Sequence, residues 1–252
     1  MAGTLYLGTS GFGYDEWRHG VFYPEGLAAS RMLSHYATLF RSVEINYTFR
    51  KFPSQKVLSS WLQQTPEGFR FTLKANQRIT HVRRLRDVAG EVRAFMNEAA
   101  VLGERLGPVL FQCPPTVEYD EPLLAAFAEG LPAGMAAVME FRHASWRAAW
   151  PFLAERRIAR CVADTDDVAA GQDELFWQPF GYLRLRRASY DDAELRVWGG
   201  RIQAALDDGS DVYCYFKHED SAAGPRMARR LEQLMGDDEP CRLDPGRRTA
   251  LG

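Results

Sequence analysis

Val138-Met-Glu-Phe-Arg-His143 begins as an apolar run and ends ionic. Alternate side chains of an extended chain share a face, so Glu140 and Arg142 project to the same side, where a strand gives way to a loop. The rest of the chain repeats this design. β-type runs stand at 4–9, 42–47, 69–75, 108–113, 136–141, 158–163, 181–186 and 212–217. Between them, apolar residues recur every three or four positions, as on the buried stripe of a helix. One stripe holds Met32, Leu33, Tyr36, Ala37 and Phe40 behind an expected N-cap at Ser30. A second runs from Val88 through Val92, Phe95, Met96, Ala99 and Leu102 to Leu106, and a third holds Leu195, Trp198, Ile202, Ala205 and Leu206. Strand centres lie roughly 23 to 39 residues apart, the size of βα units with some enlarged loops. Eight such units favour a single (β/α)8 TIM-type barrel over an open doubly wound sheet. The connection from Asp164 to Phe180 carries only a short helix or none, which makes the barrel irregular between strands six and seven. Residues 1–236 are expected to form this one domain, with a loose polar tail over 237–252.

Composition narrows the function. The chain has 252 residues, 46% of them hydrophobic and 25% charged, with a formal net charge of −2, so no global field recruits DNA or a membrane surface. Cys113, Cys161 and Cys214 lie in or beside apolar β-type runs with no metal or redox spacing, and read as small buried hydrophobes of a reducing compartment. No stretch approaches the ~20 apolar residues of a membrane span, and Met1 leads directly into Leu5-Tyr-Leu7. The expected location is cytoplasmic.

A barrel of this kind places its site where strands end and βα loops begin. Almost every strand delivers a polar side chain there: Ser10, Glu44 and Asn46, Lys74, Gln112, Glu140 with Arg142 and His143, Asp164, Arg184 and Arg186, then Tyr215, Lys217 and His218. Burying so many ionisable groups costs several kcal/mol each unless they are paired or wet. The structural alternative to a site is a self-neutralising ionic layer, with Glu44 against Lys74 and Glu140 against Arg142. The first loop holds Phe12, Tyr14, Trp17, Phe22 and Tyr23, an aromatic surface for a sugar or a base, or else a plug packed on itself. After strand three come His81, Arg83, Arg84 and Arg86, a cationic loop or simply a solvated face.

These residues resemble the YecE-like family, domain of unknown function 72. The likeness rests on Gly8-Thr-Ser-Gly-Phe, Trp17 with Phe22-Tyr-Pro24, Val43-Glu-Ile-Asn46 with Thr48-Phe49, Lys74 with Thr80-His81, and Gln112 before Pro114-Pro115. It continues through Glu140-Phe-Arg-His143 with Ser145-Trp146, Asp164, and Tyr182-Leu-Arg184, in order from about residue 5 to 235. The resemblance implies a (β/α)8 barrel and the place of a site, with no reaction attached. The chain departs from the pattern at Arg186-Arg187, where the family more often has His-Gly, and at Lys217-His218, where it more often has an Asn pair. Both changes add positive charge and put in doubt any metal or proton-transfer role for a strand-seven histidine.

Three readings follow. In the first, the chain is an enzyme on an anionic, phosphate-containing or nucleic-acid-derived substrate, a hydrolase or lyase. Lys74, Arg142, Arg184, Arg186 and Lys217 hold the anion with Asn46, Gln112, Tyr215, Trp17 and Tyr14 as further contacts, while Glu44, Glu140, Asp164 and His81 supply acid and base. A divalent metal held by His81, His143 and His218 with carboxylates is a variant, although no metal-binding spacing supports it. In the second, Glu44 and Glu140 act on a glycan as a carboxylate pair. In the third, the barrel captures an anionic ligand without turnover. Oligomeric state is not legible in the sequence.

Overall fold

The computed structural model describes residues 1–167, 179–217 and 222–237. Eight parallel strands stand within two residues of the expected bounds: β1 Leu5–Thr9, β2 Ser42–Ile45, β3 Arg70–Lys74, β4 Leu106–Gln112, β5 Ala137–Glu140, β6 Ala159–Asp164, β7 Gly181–Leu185 and β8 Val212–Phe216. Each pairs with its neighbour in the order β1-β8-β7-β6-β5-β4-β3-β2, so the chain's first strand is laddered to its last. β1 and β2 meet only through a bridge between Ser10 and Glu44, with the Gly11 N–H donating to Glu44 O at 2.8 Å. Below that bridge the Tyr36 hydroxyl stands in for a ladder: it accepts from Thr9 N–H at 2.8 Å and donates to Ser42 O at 3.0 Å. A Cβ at Gly8 would collide with the Ser42 carbonyl, so only glycine lets the two backbones come this close. The result is a nearly closed (β/α)8 barrel.

Helices alternate with the strands: α1 Met32–Tyr36, α2 Gln55–Gln64, α3 Ala89–Ala99, α4 Glu121–Glu129, α5 Trp150–Glu155, α6 Asp192–Asp207 and α7 Ala223–Asp237. Ser30 is not the N-cap expected of it. It lies inside a 3-10 turn, Ala29–Arg31, that runs into α1, and no side chain caps either end of that entry. The second apolar stripe divides into α3, a 3-10 segment Ala100–Arg105 and the start of β4 at Leu106, because Gly103 breaks the helix with φ 53°. α6 opens on a capping box, in which Asp191 accepts from the Glu194 amide and Glu194 accepts from the Asp191 amide. The loop between β6 and β7 falls on 168–178 and the expected tail on 238–252, both outside the described residues.

Strands covered on both faces read as continuous apolar runs, and two cores result. The larger packs the outward strand residues against the helices, and the smaller fills the barrel with Tyr6, Leu110, Val138, Ala159, Cys161, Tyr182, Tyr213 and Tyr215. Tyr215 and Tyr182 keep their polar tips satisfied. Tyr215 Oη lies 2.6 Å from Ser42 Oγ and 2.7 Å from Thr72 Oγ1, and Tyr6 stacks on Tyr213 at 4.6 Å. This aromatic plug is the floor on which the polar rim rests.

Candidate functional site

Two positions beyond Val138 on β5 and Tyr182 on β7, Glu140 and Arg184 join Glu44 of β2 in an ionic group centred on Arg184, which is 2% exposed. Its guanidinium donates to Glu44 Oε1 at 2.9 Å and to Glu140 Oε2 at 2.5 Å, joining β2 and β5 across the barrel through β7. Glu44 also accepts from Ser10 Oγ at 2.7 Å, Tyr182 Oη at 2.6 Å and Asn46 Nδ2 at 3.3 Å. Glu140 accepts from Arg142 Nε at 3.1 Å, has Arg186 at 3.9 Å, and receives the Cys161 thiol at 3.9 Å. Burial alone would raise both carboxyls, but Arg184 overrides it at Glu44, and Arg184, Arg142 and Arg186 together hold Glu140 at about 2. Both are therefore carboxylates throughout the neutral range. Burial and the neighbouring Glu140 push the Cys161 thiol up, so it stays protonated as a donor. One buried donor, Arg184 Nε, has no hydrogen-bond partner among the described residues.

Lys74 stands beside this group without joining it. Its Nζ lies over the Phe49 ring, 4.2 Å from the centroid, and makes no ion pair among the described residues. The pairing expected between Glu44 and Lys74 is replaced by Glu44 with Arg184, while Tyr182 and Ser10 fill the carboxylate's remaining positions and Lys74 lies over Phe49. The pairing expected between Glu140 and Arg142 is present. Burial first, then the positive charge of Arg184, pushes the Lys74 amine down to about 8. His81 meets the same Phe49 ring edge-on at 4.8 Å, with Nδ1 2.8 Å from Thr80 Oγ1. Burial, Lys74 and Arg142 lower its imidazole below the ordinary value. A cavity of about 520 Å³ opens over Glu140, walled by Arg142, Arg186, Thr165, Asp166 and Asp167. A narrower slot of about 270 Å³ enters beside it between β5 and β6, past Trp146 and Cys161. Those two strands pair only at Val138 with Ala159 and Met139 with Arg160, so they part before reaching the mouth.

Other expected site residues sit elsewhere. Asp164 points to the opposite side of β6 from Cys161, where it takes Arg187 at 3.0 Å and the Tyr190 hydroxyl at 3.0 Å. Tyr215 belongs to the plug below the ionic group, and Trp17, 1% exposed, is packed against Tyr14 and Phe22. Tyr14 spends its hydroxyl on Ser10 O at 2.6 Å, under Gly11, whose φ of 93° turns the chain out of β1. The aromatic first loop is therefore a plug on its own cluster, which Tyr23, Phe40 and Tyr36 extend to α1. Gln112 is buried beside Glu140 across the β4–β5 ladder, and Lys217 leaves β8 with its amide donating to Leu185 O at 3.0 Å. Arg83 pairs with Glu91 and Arg86 with Asp120 on the outer surface, a solvated face. His143 caps the next turn through Ser145, away from His81, and His218 lies outside the described residues. Among the described residues no three of His, Cys, Asp and Glu converge as a metal site. Ser10, expected at the rim, bonds to Glu44 there; Tyr182 and Phe49, to which the sequence reading gave no site role, touch Glu44 and Lys74 respectively. Tyr182 was within reach of that reading, standing two positions before Arg184 on the same face of β7.

The family model described as "Protein of unknown function DUF72" matches residues 6–249. The chain belongs to the DUF72 family. Among curated DUF72-type relatives, the UPF0759 protein YecE of Escherichia coli K12 is 32% identical over 132 residues, 52% of this chain and 47% of that one. The chain thus matches about half the length of this relative. The UPF0759 protein YunF of Bacillus subtilis is 26% identical over 92% of this chain and 94% of its own. A solved DUF72 family protein from Thermotoga maritima superposes with a TM-score of 0.75 at 24% identity, covering 92% of this chain and 99% of that one, and shares the fold. No helix among the described residues is long and apolar enough to cross a membrane.

Proposed function

We propose that this chain is an enzyme that binds an anionic, phosphate-type substrate at the barrel mouth, with Arg142 and Arg186 holding the anion and Lys74 and His81 moving protons. The observation that carries the reading is a local excess of positive charge. Arg142, Arg184, Arg186 and Lys74 surround two carboxylates, and both of these are already occupied by Arg184. An anion placed between Arg142, Arg186 and Lys74 replaces lost hydration with fixed donors, and guanidinium forks suit its oxygens. The far wall of the cavity carries Asp166, which accepts from the Ala188 amide at 3.1 Å, and Asp167, so the positive excess is confined to the side of Arg142, Arg186 and Lys74.

Proton transfer falls to groups that titrate near neutrality. Glu44 and Glu140 are too acidic for that, so their role is to hold Arg184 in place. A retaining or inverting glycosidase needs one carboxylic acid with a raised pKa, and neither residue fits, which weighs against the glycan reading. Titration calorimetry with inorganic phosphate and pyrophosphate tests the proposal. Binding that weakens at least tenfold in Arg142→Ala/Arg186→Ala and falls with salt supports it; no binding at millimolar ligand, or unchanged binding in the double variant, overturns it. A phosphoester panel separates turnover from capture: an enzyme loses turnover in His81→Gln while keeping its phosphate affinity.

A further inference from the structure

We propose that the Lys74 amine is a nucleophile that forms a Schiff base with a carbonyl compound carrying a phosphate, which rests on the anion-binding reading above. The first support is the choice of residue. The chain uses 31 lysines and arginines, and only Lys51, Lys56, Lys74 and Lys217 are lysines. A chain that places arginine almost everywhere it needs a cation has, at the end of β3, one of its few basic side chains that can lose a proton and attack a carbon. The second support is placement. Nζ is held over Phe49, faces Glu44 on β2, Glu140 and Arg142 on β5 and Arg184 on β7, and is tied to none of them. The third is His81, which shares the Phe49 ring with Lys74 and has Nδ1 engaged by Thr80, leaving Nε2 without a partner among the described residues.

The step balances with these groups alone. The unprotonated Nζ adds to the carbonyl carbon, forming a C–N bond as the π pair moves onto oxygen. The two amine hydrogens then leave with that oxygen as water, carried in turn by His81 Nε2, which begins and ends neutral, and a C=N bond remains. Once the imine takes up a proton, its positive charge lies in the field of Glu44 and Glu140. An amine titrating near 8 is free in about one molecule in ten at pH 7, against fewer than about one in a thousand for an ordinary lysine.

Glyceraldehyde 3-phosphate with sodium cyanoborohydride, followed by peptide mapping, reads the outcome on wild-type protein. The expected result is a reduced adduct on Lys74 that forms on the order of a hundredfold faster at pH 7 than on Lys51 or Lys56. It is slowed in His81→Gln and outcompeted by pyrophosphate. Labelling of Lys74 no faster than of Lys51 and Lys56 overturns the proposal. If pyrophosphate still binds in that case, the anion reading stands and only the covalent step fails. If pyrophosphate does not bind, the anion reading fails too. Lys74→Arg, which keeps the charge and removes the nucleophile, must lose the adduct; an adduct of unchanged yield in that variant also overturns the assignment.

Discussion

Two acid–arginine groups sit at the ends of β6 and β7, one on each side of the sheet. The inward one joins Glu44, Arg184 and Glu140, and the outward one joins Asp164, Arg187, Tyr190 and Glu194. Both bury a carboxylate almost completely. They differ in what is left over. Outside, Arg187 spans two acids 3.0 and 2.6 Å away and the Tyr190 hydroxyl closes the set, which locks the loop after β7 onto α6. Inside, the cations around Glu44 and Glu140 exceed those two carboxylates, one guanidinium N–H is unsatisfied, Lys74 and His81 share the Phe49 ring, and a cavity opens over Glu140. Burial of charge alone does not mark a site; uncommitted charge and donors do.

The largest effect that would sharpen this contrast is Arg184→Met. It strands Glu44 and Glu140 without their shared cation, so chemical denaturation is expected to show a loss of about 3–5 kcal/mol and the melting temperature to fall by roughly 10 °C, with phosphate affinity lost. Next comes pH. Glu140 is held at about 2, below its ordinary value, so its stabilisation is complete at neutral pH and drains away as pH falls from about 5 toward 2. Denaturation across that window should cost the wild type about 3 kcal/mol more than Glu140→Gln; parallel curves would show that the three arginines do not act on this carboxyl. Asp164→Asn is expected to cost about 1–3 kcal/mol through Arg187 and Tyr190 while phosphate affinity stays within about twofold. A tenfold loss of affinity there would break the division into an inner and an outer group. The smallest effect on stability belongs to Arg142→Ala, with a side chain 39% exposed: under about 0.5 kcal/mol, yet severalfold weaker phosphate binding.

How much of this was written in the sequence follows from the same contrast. Short apolar β-type runs located every strand, and period-2 alternation put Glu140 with Arg142, because a strand's two faces are a local property. It could not say which face turns inward. Asp164 and Arg186 both close polar strand ends, yet one faces the helices and the other the mouth, since the facing is set by which neighbours fill the barrel. The partner of Glu44 was equally hidden: Lys74 and Arg184 are 30 and 140 positions away in sequence, and only the ring of strands makes the second the nearer in space. The aromatic loop shows the limit from the other side. Its composition suits a ligand platform and a plug alike, and Trp17 is buried because Tyr14 and Phe22 enclose it.

The Tyr36 hydroxyl between Thr9 and Ser42 makes α1 part of the sheet's closure. A ring whose seam is fastened by a helix cannot be completed by strands alone, so the chain tolerates rearrangement unevenly. A circular permutant cut between α1 and β2 keeps the hydroxyl on the β1 side of the break but must bring it back to Ser42 without a tether. One cut between α4 and β5 interrupts a pair that four consecutive ladder positions rejoin. The first permutant should assemble far more slowly than the second, and the point of entry for dividing this barrel into recombinable parts lies away from its seam.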